Sequence, residues 1–236
     1  MIVITNWKMN PNTISQAIRL INFYKKLRYK NIWIAPSYVF LPILIKKYKK
    51  YFTFGAQNVH HQDKGPYTGE VSTKMLKNIG CKFVIINHSE RRKIGEDLKL
   101  ANQKIKRCLE NKITPVVCFG EQEKILNLAT LKKLWEEEYK ILFDGVNNLS
   151  KVKIVYEPAW AISTEKIGPV PIELVNEFLK WIKTKANLNI LYGGSVSFEN
   201  IEDYLKLNLK GFLIGSQSLK INNFRKIIEK IKKYMV

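Results

Sequence analysis

The sequence lacks the features that mark membrane, secreted and zinc proteins. It contains no apolar run of about 18 residues, so we predict no membrane span. Ile2–Thr5 already has the pattern of a strand, and we therefore expect no signal peptide. Cysteine is limited to Cys81, Cys108 and Cys118, which are widely spaced and form no C-x-x-C pair. This usage favours reduced thiols and a cytoplasmic location over a disulfide framework or a zinc site.

Acidic residues are scarce relative to basic ones: 20 against 40, a formal net charge of +20. A basic chain can bind nucleic acid. Here, however, lysine outnumbers arginine 34 to 6 and is distributed from end to end, whereas nucleic-acid readers favour arginine and clustered patches. We interpret most of the charge as solvated surface that attracts an anionic substrate, and we do not expect a nucleic-acid partner.

Short β-rich apolar runs recur about every thirty residues, and helical patterns such as Leu98-Ala101-Ile105-Leu109 lie between them. Continuous apolar strands are typical of parallel sheets covered on both faces, and right-handed crossovers require helices between them. Eight such units in 236 residues predict an α/β fold, a single-domain (β/α)8 barrel of the TIM-barrel type over residues 1–236. A doubly wound sheet is the runner-up, because no G-x-G-x-x-G follows the first strand. The predicted strands are Ile2–Asn6, Ile32–Ala35, Phe52–Gln57, Phe83–Asn87, Thr114–Cys118, Lys153–Glu157, Asn189–Tyr192 and Gly211–Ile214.

Polar residues follow several of these strands, where a barrel carries its chemistry. Taken singly, each has an ordinary interpretation: a surface lysine, a structural histidine or a tight turn. Their shared position at one rim predicts a functional site. The residues are Asn6 and Lys8 after strand one, His88 and Glu90 after strand four, Glu157 after strand six, Gly193, Gly194 and Ser195 after strand seven, and Gly215 and Ser216 after strand eight.

Glu157 is followed by a proline, which restricts the glutamate to extended backbone and so aims its carboxylate. The segment from Pro158 to Gly168 contains one large aromatic residue, Trp160. We interpret this arrangement as a carboxylate base followed by a lid. The alternative is an ordinary connection in which Trp160 packs on the surface.

The loop 58–70 contains His60, His61 and Asp63, which are residue types that bind metals. No second ligand cluster is evident, and we predict no metal site. A long loop of this kind is better explained as a protruding contact with a partner.

These residues resemble the triosephosphate isomerase family. The similar stretches follow the order of that family and span nearly the whole chain. They are Asn6–Asn10, Tyr67–Glu70, His88–Arg92 with Gly95-Glu96, Cys118–Glu121, Tyr156–Ile162, Tyr192–Val196 and Gly211–Gly215.

The resemblance implies an isomerase that moves a proton between adjacent carbons of a three-carbon phosphosugar, without metal or organic cofactor. Glu157 would be the base, His88 would polarise the carbonyl, and Lys8 would offset the negative charge. Asn6 would be a neighbouring donor, and Glu90 would support Lys8 and His88 from behind. This family is itself the standard illustration of a carboxylate base paired with a neutral imidazole at a helix N-terminus.

The resemblance also implies a phosphate site on backbone N–H groups, a closing lid and a homodimer. The loop 58–70, with Thr68 near its tip, would reach the partner subunit near Asn6 and Lys8. The phosphate residues would be Ser163, Ser195, Gly193, Gly194, Gly215 and Ser216, and the lid residues Pro158, Trp160, Lys166 and Tyr192.

The chain departs from the family pattern in and near the lid. Ile162–Gly168 reads Ile-Ser-Thr-Glu-Lys-Ile-Gly where the family usually has Ile-Gly-Thr-Gly-Lys-Thr-Ala. Ser163 replaces a glycine, Glu165 places an acid near a dianion, and Asn87 and Ser216 also replace glycines. We expect the reaction to survive, with slower closure or weaker binding.

Two other functions are compatible with parts of the pattern. Lys8 could be a Schiff-base nucleophile, as in aldolase-type barrels, and borohydride trapping would detect it. Alternatively, an inactive barrel could bind RNA through its basic surface, with salt-dependent affinity. Asn6, Lys8, His88 and Glu157 together favour the isomerase.

Overall fold

The computed structural model describes residues 1–162, 168–186 and 188–235. Its strands are β1 Ile2–Asn6, β2 Ile32–Ala35, β3 Thr53–Ala56, β4 Phe83–Ile86, β5 Thr114–Phe119, β6 Lys153–Tyr156, β7 Asn189–Tyr192 and β8 Gly211–Ile214. Its α-helices are α1 Ile14–Lys26, α2 Leu41–Tyr48, α3 Thr73–Ile79, α4 Ser89–Lys93, α5 Leu98–Glu110, α6 Leu128–Leu142, α7 Ile172–Lys183, α8 Ile201–Leu205, α9 Ser216–Leu219 and α10 Ile221–Tyr234. Short 3₁₀ turns cover Tyr38–Phe40, Leu149–Lys151 and Ala159–Ala161.

The eight strands form a closed parallel barrel in sequence order, and β8 pairs with β1 through Ile2 and Gly211. This confirms the predicted barrel and excludes the doubly wound sheet. Three predicted strands are too long and one is too short: β3 excludes the predicted end residues Phe52 and Gln57, and β5 continues to Phe119. Asn87 and Glu157 lie just beyond the last paired residues of β4 and β6. Both residues therefore belong to the rim, where their side chains can take part in chemistry.

The apolar residues divide between the barrel interior and the layer between strands and helices. A lysine at the start of β6, Lys153, shares the inward face with Val155, which lies in the interior cluster. Gly211 is needed where β8 meets β1, since an added Cβ would lie 2.0 Å from the Ile2 carbonyl oxygen. The interior cluster is Ile4, Ala35, Phe83, Ile85, Val116, Cys118, Val155, Leu191 and Leu213.

Helix starts follow sequence signals. Thr13 caps α1 in a reciprocal capping box with Gln16, and Asp97 caps α5 by accepting from the Leu100 N–H at 2.7 Å. Both helices bury the faces that their apolar spacing predicted. Within the three described ranges, no helix is long and apolar enough to cross a bilayer.

Candidate active site

Lys8 lies just beyond β1 in the left-handed region, with a φ of 53°. That conformation is costly for a residue with a Cβ and persists only when the surroundings fix it. Here the Lys8 carbonyl accepts from Gln57 Nε2 at 2.8 Å and from Ser37 Oγ at 3.1 Å. The Lys8 N–H donates to Asn6 Oδ1 at 3.1 Å. The sequence pattern identified Lys8 and Asn6 but missed the support that Gln57 and Ser37 provide.

The Lys8 ammonium is paired with Glu90, with Nζ 2.6 Å from Oε1. The Glu90 side chain is 42% exposed, so it supports Lys8 at the rim and does not lie beneath the site. Its carboxylate is 3.8 Å from His88 Nδ1, too far for a hydrogen bond. Glu90 lies in the first turn of the rim helix α4, where its carboxylate contacts Lys8 and its backbone N–H donates to His88 Nδ1. Its support of both residues in the reaction remains a prediction.

His88 is buried and caps the N-terminus of α4. Its Nδ1 accepts the backbone N–H of Glu90 at 3.1 Å, and its Nε2 lies 3.0 Å from Glu157 Oε1. Because Nδ1 is an acceptor, the proton of the neutral imidazole must be on Nε2. His88 is thereby arranged as a donor toward the centre of the site.

The Glu157 carboxylate is almost fully buried. Its Oε2 accepts the Ser89 N–H at 3.2 Å. Burial raises the pKa of Glu157, but His88, Arg92 and the Ser89 N–H outweigh burial and lower this pKa. Burial likewise lowers the pKa of His88, and the Glu157 carboxylate reverses this and raises it. These contacts favour the ionised form of Glu157 and hold its carboxylate beside the imidazole.

Close backbone packing fixes the position of Glu157. Its N–H donates to the Phe119 carbonyl at 2.7 Å. An added Cβ at Gly120 would lie 2.8 Å from the Glu157 carbonyl carbon, and one at Gly193 would lie 2.3 Å from Val155 Cγ1. The two glycines are thus required for the ends of β5, β6 and β7 to approach one another.

The glycine-rich turns after β7 and β8 lie on the other side of the pocket from His88. Gly215 is adjacent to the lysine, since an added Cβ would be 3.4 Å from Lys8 Cε. The Ser195 N–H donates to the Ala161 carbonyl at 3.2 Å. The pocket brings together these predicted site residues: Lys8, His88, Glu157, Gly193, Gly194, Ser195, Gly215 and Ser216.

Trp160 is buried, and its indole N–H donates to Glu121 Oε1 at 2.9 Å. Trp135 donates to the other oxygen of the same carboxylate at 3.2 Å. The alternative in which Trp160 packs on the surface is therefore wrong, because the buried Glu121 accepts its N–H. Pro158 precedes the 3₁₀ turn that carries Trp160.

Tyr192, predicted as a lid residue, is buried and its hydroxyl donates to Tyr204 Oη at 3.2 Å. The Tyr204 hydroxyl in turn donates to the Val170 carbonyl at 2.6 Å. Tyr192 is thus connected to the chain just after the predicted lid. Ser163, Glu165 and Lys166 lie outside the described residues.

A buried polar network behind His88 was missed by the sequence pattern. Asn87 has a φ of 60°, and its N–H donates to Glu96 Oε1 at 3.4 Å. Lys104 bonds to Glu96 and, at 2.8 Å, to Asn58 Oδ1. The sequence signals were Glu96 within a family-like stretch and Asn87 in place of a family glycine, and neither indicated the contacts with Lys104 and Asn58.

In the loop 58–70, the Asp63 carboxylate accepts from Thr73 Oγ1 at 2.9 Å and from Asn111 Nδ2 at 3.1 Å. His60 stacks against His61 and Tyr67. No group of three potential metal ligands occurs among the residues that the structure describes. Thr68 is exposed near the tip.

A buried carboxylate bonded to an imidazole, with a lysine and glycine-rich turns beside them, defines the class: a barrel enzyme that transfers protons on an anionic substrate. The family model for triosephosphate isomerase matches residues 1–231. The chain belongs to the triosephosphate isomerase family.

Curated relatives can be aligned with almost the entire chain. The triosephosphate isomerase of Aquifex aeolicus is 35% identical, over 96% of this chain and 98% of that protein. That of Mycoplasmopsis pulmonis is 35% identical, over 97% and 96%. That of Francisella tularensis subsp. mediasiatica is 34% identical, over 98% and 97%.

Proposed function

We propose that the protein interconverts D-glyceraldehyde 3-phosphate and dihydroxyacetone phosphate by proton transfer through an enediolate, the reaction for which its relatives are named. The observation that carries the proposal is the contact of 3.0 Å between the Glu157 carboxylate and His88 Nε2, beside the Lys8 ammonium. This contact supports the proposal, because proton transfer on an anionic substrate requires a base, a hydrogen-bond donor and a positive charge around one small pocket.

Glu157 removes a proton from the carbon next to the substrate carbonyl. The carboxylate first leaves the Ser89 N–H and turns toward the substrate. His88 Nε2–H donates to the carbonyl oxygen, on which negative charge develops as the C–H bond breaks. The same carboxylate then returns the proton to the neighbouring carbon, while His88 moves protons between the two oxygens.

Lys8 offsets the charge of the enediolate and the phosphate. Its ammonium is bonded to Glu90, which keeps it extended across the rim. Asn6 contributes indirectly in this state, because its amide oxygen holds the Lys8 backbone. We infer that Asn6 is a positioning residue at least as much as a substrate donor.

The phosphate binds on the turns after β7 and β8, formed by Gly193, Gly194, Ser195, Gly215 and Ser216. Because Gly215 is adjacent to Lys8, the phosphate and the ammonium are neighbours. The Ser195 N–H must exchange the Ala161 carbonyl for a phosphate oxygen. That exchange releases the segment that leads into the lid, so binding and closure are coupled.

The lid closes over the pocket and excludes water, which limits loss of phosphate from the enediolate. Trp160, bonded to Glu121, is its fixed N-terminal anchor. Ser163 and Lys166 are proposed as its phosphate-contacting and closing residues, by resemblance alone.

We also infer a homodimer. Exposed apolar side chains follow the first, second and fourth strands and continue onto α3, on the side from which the loop 58–70 protrudes. They are Met9, Val39, Met75 and Ile94, which are 89%, 74%, 57% and 71% exposed. A second copy of the chain would cover them, and Thr68 would approach the partner's catalytic rim. The three cysteines are free and buried, which is compatible with a reducing cytoplasm.

The test is turnover of both triose phosphates by the wild type beside Glu157→Asp, with Glu177→Asp on the surface as the matched control. The shorter side chain withdraws the carboxylate by about 1 Å, so we expect kcat to fall about 100-fold or more. The control should keep wild-type turnover. Equal turnover in wild type and Glu157→Asp would refute the assignment of the base.

Two controls address the alternatives. Borohydride treatment with substrate should leave Lys8 unmodified, since an adduct would indicate Schiff-base chemistry. Absence of turnover together with salt-dependent RNA binding would favour the binding protein.

A further inference from the structure

The end of the barrel opposite the catalytic mouth contains a cleft of about 420 Å³. It lies between the starts of β2, β5 and β6, whereas Glu157 follows the other end of β6. The residues that matter to its chemistry are Trp33, Lys112, Thr114, Ser150, Lys151 and Lys153. The isomerase reaction uses none of them.

Three lysines line this cleft, and none of its lining residues is acidic. Lys153 points inward, and its Nζ lies 5.4 Å from the centroid of the Trp33 ring. In the described part of the chain, no carboxylate forms an ion pair within 4.0 Å of Lys112, Lys151 or Lys153. A cluster of cations without counter-charge on a folded surface is an attractive site for an anion.

Lys153 differs from the other two lysines of the cleft, because Lys112 and Lys151 are exposed. It is only partly exposed, and burial lowers the pKa of its ammonium because no carboxylate compensates the lost hydration. Lys104, a buried lysine whose pKa is also lowered by burial, is bonded to Glu96. Lys153 has no equivalent carboxylate partner among the described residues.

The remaining lining residues fit an oxygen-rich ligand. Thr114 and Ser150 supply hydroxyl groups, and the Ser150 hydroxyl now donates to Asn148 Oδ1 at 2.8 Å. Lysine is a compact point charge that suits phosphate oxygens. A cleft of about 420 Å³ is larger than a single phosphate requires and lies within the range of small-molecule sites.

We propose that this cleft binds an oligophosphate anion, either inorganic triphosphate or the phosphate chain of a nucleotide. Lys153 bonds to the phosphate at the centre of the cleft, and Lys112 and Lys151 bind the outer phosphates at its rim. Trp33 and the apolar wall formed with Leu109 close one side.

The test is calorimetric titration with sodium triphosphate and, separately, with adenosine triphosphate. Saturating dihydroxyacetone phosphate is present throughout, so that the catalytic pocket is occupied. We expect one bound anion per chain in the wild type. Lys153→Met should weaken binding about tenfold or more, because a charged hydrogen-bond donor is lost. Equal affinity for the two ligands would show that the cleft recognises the phosphate chain alone. Tighter binding of adenosine triphosphate would show that the adenosine part also contributes.

A matched pair of double variants tests whether anion binding depends on the lysines of the cleft or only on the overall positive charge of the protein. Lys112→Met with Lys151→Met removes two charges at the rim of the cleft, and Lys46→Met with Lys47→Met removes two exposed charges from α2. All four positions are exposed, so folding should be retained even if Lys153→Met fails to fold. The proposal requires that only the first pair weakens binding. Absent binding in the wild type, or equal weakening in both pairs, would overturn it.

Discussion

Glu157 Oε1 lies 3.0 Å from His88 Nε2, so the proposed base and the proposed hydrogen-bond donor are bonded to each other. A buried carboxylate would otherwise be protonated more easily. The imidazole and the Ser89 N–H keep it ionised, and the substrate carbonyl must then replace Glu157 as the partner of Nε2–H. Binding therefore releases the base at the moment when it is needed.

Gly120 should be essential to the position of Glu157. In Gly120→Ala the new Cβ would lie 2.8 Å from the Glu157 carbonyl carbon and displace that peptide. We expect kcat to fall about 10- to 100-fold, since displacements near 1 Å have such effects. Gly95→Ala is the control: its φ of 98° is also positive, but no described atom lies within 4 Å of the added Cβ. Steady-state kinetics of both variants distinguish the effect of displacing the Glu157 peptide from the effect of placing an alanine at positive φ. A similar loss in Gly95→Ala would contradict this account.

Lys8 should matter for substrate affinity much more than for stability. Lys8→Met removes the ammonium while keeping most of the aliphatic stem. We expect KM to rise about tenfold or more through loss of a charged contact. The free energy of unfolding should change by about 1 kcal/mol or less, because the Lys8–Glu90 pair is partly exposed. The exposed Lys64→Met serves as the control. An unchanged KM in Lys8→Met would show that the Lys8 ammonium does not contribute to substrate affinity.

Trp160 and Trp135 donate to the same carboxylate, so a pair of variants can isolate the lid. Trp160→Phe and Trp135→Phe each remove one N–H from Glu121 and should lower the free energy of unfolding by about 1–3 kcal/mol. Only Trp160→Phe should also raise KM, by about three- to tenfold, because Trp160 alone adjoins the lid. Denaturant unfolding and kinetics on the same samples provide the comparison. A raised KM in both variants would mean that the loss of either hydrogen bond to Glu121 disturbs the substrate site, without a specific role for the lid.

Glu138 should make stability depend on pH. Burial raises its pKa to about 7, although Arg92 opposes this. As the pH rises, the unfolded chain loses this proton near the ordinary pKa while the folded chain retains it, so folding becomes less favourable up to about pH 7. Between about pH 5 and pH 8 the wild type should lose on the order of 2–3 kcal/mol relative to Glu138→Gln. Denaturant unfolding of both proteins measures this difference. A difference that does not vary with pH would show that Glu138 is ionised throughout.

The dimer should depend on the exposed tip of the loop 58–70. Thr68→Arg adds bulk and charge where the partner subunit is expected, so the variant should sediment as a monomer at concentrations where the wild type is dimeric. Asn147→Arg, an exposed substitution near the opposite end of the barrel, is the control. Sedimentation equilibrium gives the result. A dimeric Thr68→Arg variant would place the interface elsewhere.

The sequence predicted the barrel because each strand is a short apolar run and helical apolar patterns, such as that of α5, lie between the strands. Lys8, His88 and Glu157 could be predicted because they follow strands whose ends all meet at one rim. Gln57 supports Lys8 through contacts between residues 49 positions apart, and no local pattern encodes such a contact. The cleft at the opposite end of the barrel was missed for the same reason. Lys112 and Lys153 are 41 positions apart in the sequence, and the pairing of β5 with β6 brings them together.

The contacts from Asn58 through Lys104 and Glu96 to Asn87 connect the base of the loop 58–70 to the peptide before His88. When a partner subunit holds that loop, it also steadies the backbone that aims the imidazole. For the proposed dimer, specific activity is therefore expected to fall on dilution, because dissociation would remove the support of the loop. Enzyme concentration would then act as a control on catalysis even with substrate in excess.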